Sequence, residues 1–517
     1  MAAVLFASQL RSLFVFPEPN SLRWFGDETW LMSEAIQQIT TGVVHYPLAI
    51  GSQLEYGKGL VLGMTWLSAL LYGLPAWTVG HNPVAVGRGV TAVLALLLLV
   101  ALYASSRMLG ASRLASALVV MLLISTRSFF FASHSARPDL LAGMIVMLAV
   151  AIGTRYSARN AGIIHTSLWW FAYGAIFMFF AVSSSIHLLT LLAPVALFFL
   201  WRFTNNGKIH STVRAAFWSA VGWLAMRGAL IFAYYAANGS LELFPKSASQ
   251  FHDVLHSIPI LHPFSRSVQV ANIVTRIKQI IAEATVIVVL PFIILFAWKR
   301  GVRHTFAIAS LLVGISWLLF EGAEITYLIH LLPLLFLGLA IALTRLAERW
   351  NVTWVPITAL GVIVFVFSLR DSARAFENAS AIDVSNRNAA RMIKTQIAST
   401  WHAASMPRVL TEPPMLDRLS QDTSIQIMTD HFLSFPLRIE PLDSFLAREH
   451  VNYAVLYNSP TYPKNRARDD PFYRGIHRSG LLIASYIGTS GDVGRDYFHH
   501  SDWRDTILFF KLGTYGE

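Results

Sequence analysis

The run Gly89–Ser106, GVTAVLALLLLVALYASS, holds eighteen residues without a charge and decides the class of fold. A helix needs roughly 20 apolar residues to cross about 30 Å of hydrocarbon, so this segment is close to membrane-spanning length. Runs of the same kind recur at Pro138–Thr154, Thr166–Ser185, Glu283–Ala297 and Val352–Ser368, each nearly free of charge. The chain as a whole is 55% hydrophobic and only 13% charged over 517 residues, with a mean hydropathy of +0.52. That much apolar surface exceeds what one water-soluble core buries. The expected class is an α-helical polytopic membrane protein.

The net charge of +11 would suggest nucleic acid in a soluble protein. Here the Lys and Arg residues sit between apolar runs, as in the cytoplasmic loops of membrane proteins, and nucleic acid is set aside as a partner. The chain has no cysteine, which excludes disulfides, thiolate metal sites and a cysteine nucleophile. Met1–Phe16 reads as a short first anchor interrupted by Arg11, not as a cleavable signal peptide, because it lacks a basic start and a small-residue cleavage site.

After Arg88, spans are expected at 89–106, 114–133, 138–154, 165–185, 187–201, 215–237, 280–297, 304–320, 325–343 and 351–368. Alternate loops between them carry twelve basic residues: Arg107, Arg113, Arg155, Arg159, Arg202, Lys208, Arg214, Lys299, Arg300, Arg303, Arg345 and Arg349. The positive-inside rule places these loops in the cytoplasm. Parity then puts Arg137 and Asp139, the loop 238–279 and everything after Ser368 outside the cytoplasmic membrane. The segment 17–88 must begin and end outside, so its apolar stretch Gly59–Val79 is expected to be interfacial or re-entrant. The alternative is that it spans and another run does not. With the first anchor, about eleven spans and an interfacial helix are expected.

From residue 370 the composition becomes that of a soluble domain. Helical spacing around Asn386–Ile393 leads into short apolar stretches at Arg408–Thr411, Ser424–Met428, Val451–Tyr457, Leu481–Tyr486 and Thr506–Lys511, with a helix near Pro441–Glu449. Strands alternating with helices predict a small α/β domain over 370–517, following a membrane domain over 1–369. No catalytic motif stands out in this tail. Its expected role is acceptor contact or a lid, with a purely structural cap as the alternative.

Acids are scarce in such a chain, so their positions are informative. Asp27-Glu28 follows the first anchor, and Asp139 stands in Ser133-His-Ser-Ala-Arg-Pro-Asp139 at the outer start of a span. Each is also ordinary helix-start chemistry, since carboxylates and proline favour the first turn. Yet parity brings Asp27, Arg137, Asp139 and Glu55-Tyr-Gly-Lys58 to one membrane face. Two carboxylates and several cations at one surface suit transfer from a phosphate leaving group, where a carboxylate takes the acceptor's proton and cations hold the departing phosphate.

Asp27-Glu28 after a first helix, Glu55-x-x-Lys58, Arg88 opening a span, Arg137-Pro-Asp139 opening another, and Thr326-Tyr-Leu-Ile-His-Leu-Leu-Pro333 follow one another in an order that resembles the GT-C glycosyltransferases. Among these the chain is most similar to the aminoarabinose transferases of lipid A and the protein O-mannosyltransferases. The resemblance covers residues 1 to about 370. It implies an extracytoplasmic transferase with a polyprenyl-phosphate sugar as donor and a lipid, glycan or protein as acceptor. It implies Asp27 as general base, with Glu28 beside it, Asp139 lining the same cavity, and Lys58, with Arg88 and Arg137, at the donor phosphate. Glu55, His187 and Tyr327 are further candidate substrate contacts. A single displacement of this kind would invert the anomeric centre.

Two departures bear on the donor. The arabinose-transferring branch has Thr-Lys-Gly where this chain reads Ser185-Ile-His187, and a basic stretch where it reads Glu321-Gly-Ala-Glu324. Two cations are replaced, so a different head group, or a different way of holding it, is expected, and the lipid A substrate does not carry over. His187 is a substitute phosphate contact or a histidine hydrogen-bonded at a helix end. His252, His256 and His262 in the loop 238–279 lack a clean ligand spacing, so no metal residue is assigned, and a divalent metal stays open beside the lipid-linked sugar. The competing functions are a transporter, disfavoured by the scarcity of midspan charge beyond Arg227 and the lack of repeated halves, and a non-catalytic lipid-binding envelope protein.

Overall fold

The computed structural model describes residues 69–80, 83–136, 139–141, 167–175, 209–238, 329–330, 332–350, 355–411, 424–429, 442–458, 471–489 and 504–513, with single positions at 32, 35, 36, 39, 143, 144, 147, 148, 151 and 419. The expected first anchor and the expected spans at 187–201, 280–297 and 304–320 lie outside these residues. The chain divides into two compact units. One comprises Met1–Arg11, Leu62–Ser68 and Arg88–Ser372, the other Ser12–Val61, Ala69–Gly87 and Ala373–Glu517.

The part of the helix Pro83–Met108 that belongs to the first unit, from Arg88 on, buries Leu94, Ala95, Leu98, Leu99 and Leu102 and exposes Val93, Leu96, Leu97, Val100 and Tyr103. Both faces are apolar, as expected where one meets protein and the other lipid. The same holds outward on Ile209–Asn238, where Val213, Phe217, Leu224, Phe232 and Tyr235 are exposed. Such contiguous apolar surface is foreign to a protein surrounded by water. Among the described residues one helix, Ala85–Met108, is long and apolar enough to cross a membrane, or two spans if the bent pair Arg113–Ile124 and Arg127–His134 forms one.

That bent pair corrects one expectation. The run 114–133 is not a straight helix: its two halves meet at 69°. Ser125 caps the first half, and Thr126, in an extended conformation, starts the second by accepting a hydrogen bond from the Phe129 N–H at 3.2 Å. The Ser125, Thr126, Ser133 and Ser135 hydroxyls all donate to carbonyls three or four residues back. This back-bonding satisfies buried hydroxyls while bending the backbone.

Leu332–Trp350 is buried around most of its circumference and packs on Arg113–Ile124. The Ser112 N–H donates to Thr344 Oγ1 at 2.8 Å across that contact. Of the span expected at 325–343, residues 325–328 and 331 lie outside the described residues; 329–330 form a 3₁₀ turn, and the helix Leu332–Trp350 carries Pro333 in its first turn. Residues 167–175 pack on Ile209–Asn238 through two glycines. A Cβ at Gly174 would overlap the Ser219 carbonyl, and one at Gly222 the Phe171 carbonyl. Small residues at a helix crossing let backbones approach closely, the usual device within a membrane.

In the second unit, a π-helical turn Ala69–Gly73 runs into Leu74–Val79, which ends at Gly80 with φ +75°. Tyr72 and Ala76 are buried, whereas Leu70, Leu74, Trp77 and Val79 are exposed. This apolar helix, Leu70–Val79, is too short to span. Residues 59–68 of the expected interfacial segment lie outside the described residues.

The sequence placed a span at 351–368 and a separate helical stretch near Asn386. The structure has one continuous helix, Val355–Thr400, of 46 residues. No Gly, Pro or capping turn interrupts 362–400, so the helix continues as its character changes from apolar to polar.

Five strands follow, each on a stretch expected from the sequence: β1 Arg408–Thr411, β2 Gln426–Thr429, β3 Tyr453–Asn458, β4 Leu481–Thr489 and β5 Arg504–Lys511. The sheet order is β2-β1-β3-β5-β4. β1 runs parallel to β2 and β3, and β5 antiparallel to β3 and β4. Leu410, Ala454, Leu456, Leu508 and Phe510 form a core on one face with Phe445 and Leu446 from Leu442–Arg448 and Ile476 from Pro471–Ser479. The end of the long helix lies against the other face: Thr400 Oγ1 meets Tyr453 Oη at 2.8 Å, and Asn388 Nδ2 donates to Tyr486 Oη at 3.4 Å. Covered on both faces, β3 is buried without alternation from Tyr453 to Leu456.

Candidate active site

Of the nine residues singled out from the sequence, Arg88 and Asp139 lie among the described residues. Asp27, Glu28, Glu55, Lys58, Arg137, His187 and Tyr327 lie outside them. Both described residues belong to the first unit and both are buried, Arg88 at 4% exposure and Asp139 at 2%. Burial of an arginine and an aspartate inside an apolar helical unit is costly unless each is compensated, so it marks a functional region by default.

Asp139 stands at the start of a helix described at 139–141, 143, 144, 147, 148 and 151. Its Oδ1 lies 3.8 Å from Nε2 of His330, which is itself fully buried. The two residues come from segments about 190 positions apart in sequence. What brings them together is a backbone contact one helical turn along from Asp139. A Cβ at Gly143 would overlap the carbonyl oxygen of Ile329 and stand 3.3 Å from Pro333 Cγ. Glycine there lets the helix sit directly on the 3₁₀ turn that presents His330, and positions four apart share a helix face.

His330 was missed as a site residue, although it lies inside Thr326–Pro333, which the sequence had singled out. The available signal was its chemistry: a histidine within an otherwise apolar run of a membrane protein. A second buried histidine, His134, closes the bent helix that leads toward Asp139. Its Nδ1 lies 2.7 Å from the Phe130 carbonyl, to which it donates, and its ring stacks on Phe130 at 4.2 Å. Among the described residues no group of three or more His, Asp or Glu side chains is arranged to hold a metal.

The arrangement is therefore a buried carboxylate with an imidazole at its side, in a unit that also buries an arginine. Chemically it offers a fixed hydrogen-bond acceptor for a hydroxyl group and a cation for an anion.

No family model matches the chain, and no curated protein matches it. Solved structures do. ArnT from Cupriavidus metallidurans in the apo state has 14% sequence identity and a TM-score of 0.58, over 98% of this chain and 97% of that one. The same protein bound to undecaprenyl phosphate has 13% identity and a TM-score of 0.55, over 100% of this chain and 99% of that one. At this identity the likeness is one of fold. The chain thus shares the fold of ArnT over nearly the full length of both proteins.

Proposed function

We propose that this protein is a GT-C glycosyltransferase of the cytoplasmic membrane. It moves a sugar from a polyprenyl-phosphate donor to an acceptor on the outer face, where the C-terminal domain also lies. The observation that carries this reading is the full-length likeness of fold to ArnT, one structure of which is bound to undecaprenyl phosphate. The buried Asp139 and Arg88 support it independently, since they supply a carboxylate and a cation within the same unit.

In this reading Asp27, next to Glu28, takes the proton of the acceptor hydroxyl as its oxygen attacks the anomeric carbon. The bond from that carbon to the phosphate oxygen breaks, and its electrons leave with the lipid phosphate. Lys58, Arg88 and Arg137 stabilise the developing phosphate charge. Asp139 accepts a hydrogen bond from a substrate hydroxyl, while Glu55, His187 and Tyr327 are further substrate contacts. One displacement inverts the anomeric configuration.

The test is transfer of labelled sugar from a panel of polyprenyl-phosphate donors in membranes carrying wild type or Asp27→Asn at matched expression. Transfer abolished by the substitution supports both the activity and the base. Transfer unaffected by it removes Asp27 from the mechanism. Absence of transfer from every donor shifts weight to the transporter or lipid-binding readings.

A further inference from the structure

We propose that His330 is a positioning residue for Asp139, donating its Nε2–H to Oδ1 and so fixing the orientation of a carboxylate that accepts a hydrogen bond from a substrate hydroxyl. The catalytic half of this inference rests on the glycosyltransferase reading; the pairing itself does not.

Three observations lead here. Both side chains are buried, at 2% and 0% exposure, and Oδ1 and Nε2 face each other at 3.8 Å. That separation is longer than a hydrogen bond, and closing it takes about 1 Å of side-chain movement, the kind of tightening that accompanies substrate binding. The separation is also set from outside the pair. Gly143 lies one turn from Asp139 and abuts the carbonyl of Ile329, the residue before His330, with Pro333 against the same glycine. The backbone contact thus fixes the spacing of the two segments, so that side-chain rotation alone closes the remaining gap.

The chemistry needs such a device. A carboxylate in a medium of low dielectric depends on the donors around it for its charged form and its orientation. An imidazole N–H directed at one oxygen fixes the plane of the carboxylate and leaves the other oxygen oriented for a hydroxyl. No atom changes bonding partner at His330, which keeps its proton throughout.

The test uses the full chain in membranes and four variants: His330→Leu, His330→Gln, Asp139→Asn and Asp139→Asn/His330→Leu. Glutamine places an N–H close to where the imidazole Nε2–H stands, whereas leucine fills the space without a donor. Rates are expressed per folded molecule, from the detergent-resistant monodisperse fraction. Expected is a fall of about 100-fold in kcat/KM for His330→Leu, recovery to within about tenfold of wild type in His330→Gln, and no further loss on adding His330→Leu to Asp139→Asn. Equal rates for all His330 variants, or losses that multiply in the double variant, would overturn the proposal.

If the wild type transfers nothing from any donor, the functional reading fails and the pairing is judged on thermal melting of the same proteins. A smaller melting shift from His330→Leu in the Asp139→Asn background than in wild type supports the pair. Equal shifts in both backgrounds refute it.

Discussion

Gly143 abuts the carbonyl of Ile329, one turn along the helix from Asp139 and one residue before His330. A methyl group at position 143 has nowhere to go, because the obstacle is backbone. Gly143→Ala is expected to force the two segments apart, destabilise the first unit by about 1–3 kcal/mol, and lower transfer more than Ala substitutions on the lipid-facing side of the same unit. A melt and an activity assay on one preparation check this. Wild-type behaviour in both would show that the segments separate freely.

Asp139→Asn keeps the shape of the side chain and removes its charge. If the carboxylate accepts a charge-assisted hydrogen bond from a substrate hydroxyl, transfer should fall by about 100-fold, because the asparagine oxygen still accepts but carries no charge. Expression and detergent stability should hold within the range of surface variants. Unimpaired turnover would reduce Asp139 to a helix-start residue.

The outward face of Pro83–Met108 gives a prediction about the membrane. Leu96 is exposed and apolar, amid Val93, Leu97 and Val100. Leu96→Arg should cost about 2.5–3.5 kcal/mol of insertion if that face meets hydrocarbon near its centre, and should reduce the membrane-integrated yield. Leu96→Phe should be neutral. Equal yields for the arginine and phenylalanine variants would place this face away from lipid.

Arg408 ties together the end of the C-terminal sheet. Its Nε donates to Gln426 Oε1 at 2.6 Å, its guanidinium to the Glu449 carbonyl at 2.5 Å, and its backbone N–H to Asn452 Oδ1 at 2.8 Å. Arg408→Leu keeps the backbone bond and leaves the Glu449 carbonyl and the Gln426 amide without this donor, so a loss of about 1–3 kcal/mol is expected. Limited proteolysis of the tail reads it out, and protection equal to wild type would argue that water replaces the guanidinium without cost.

His477 makes the stability of the tail sensitive to pH. It stands edge-on to Phe510 at 4.8 Å, and desolvation lowers its pKa from the ordinary histidine value. A depressed histidine binds its proton less readily folded than unfolded. Its effect is therefore absent above the ordinary histidine pKa; stability falls as pH drops through that value, and the loss is complete below the lowered folded pKa. His477→Gln should flatten this part of a melting-temperature profile between pH 8 and 5. An unchanged slope would assign the dependence to other groups.

What the sequence determined by itself is local. Charge-free runs such as Gly89–Ser106 report helices suited to hydrocarbon, because every backbone polar group must be satisfied within the segment. Short apolar stretches marked the five strands of the tail, since burial and turn chemistry are written within a few residues. Asp139 stood out because acids are scarce in such a chain, and Arg88 through its place in the order of motifs; that both are buried came only with the structure. The tertiary structure decided what depends on partners distant in sequence. The break at Ser125–Thr126 arises from hydroxyls bonding back to the chain in a packed setting. The mixed sheet order reflects which strands meet, not what each contains. The pairing of Asp139 with His330 depends on Gly143 resting on Ile329, a contact between segments whose local sequences, read separately, carry no mark of each other.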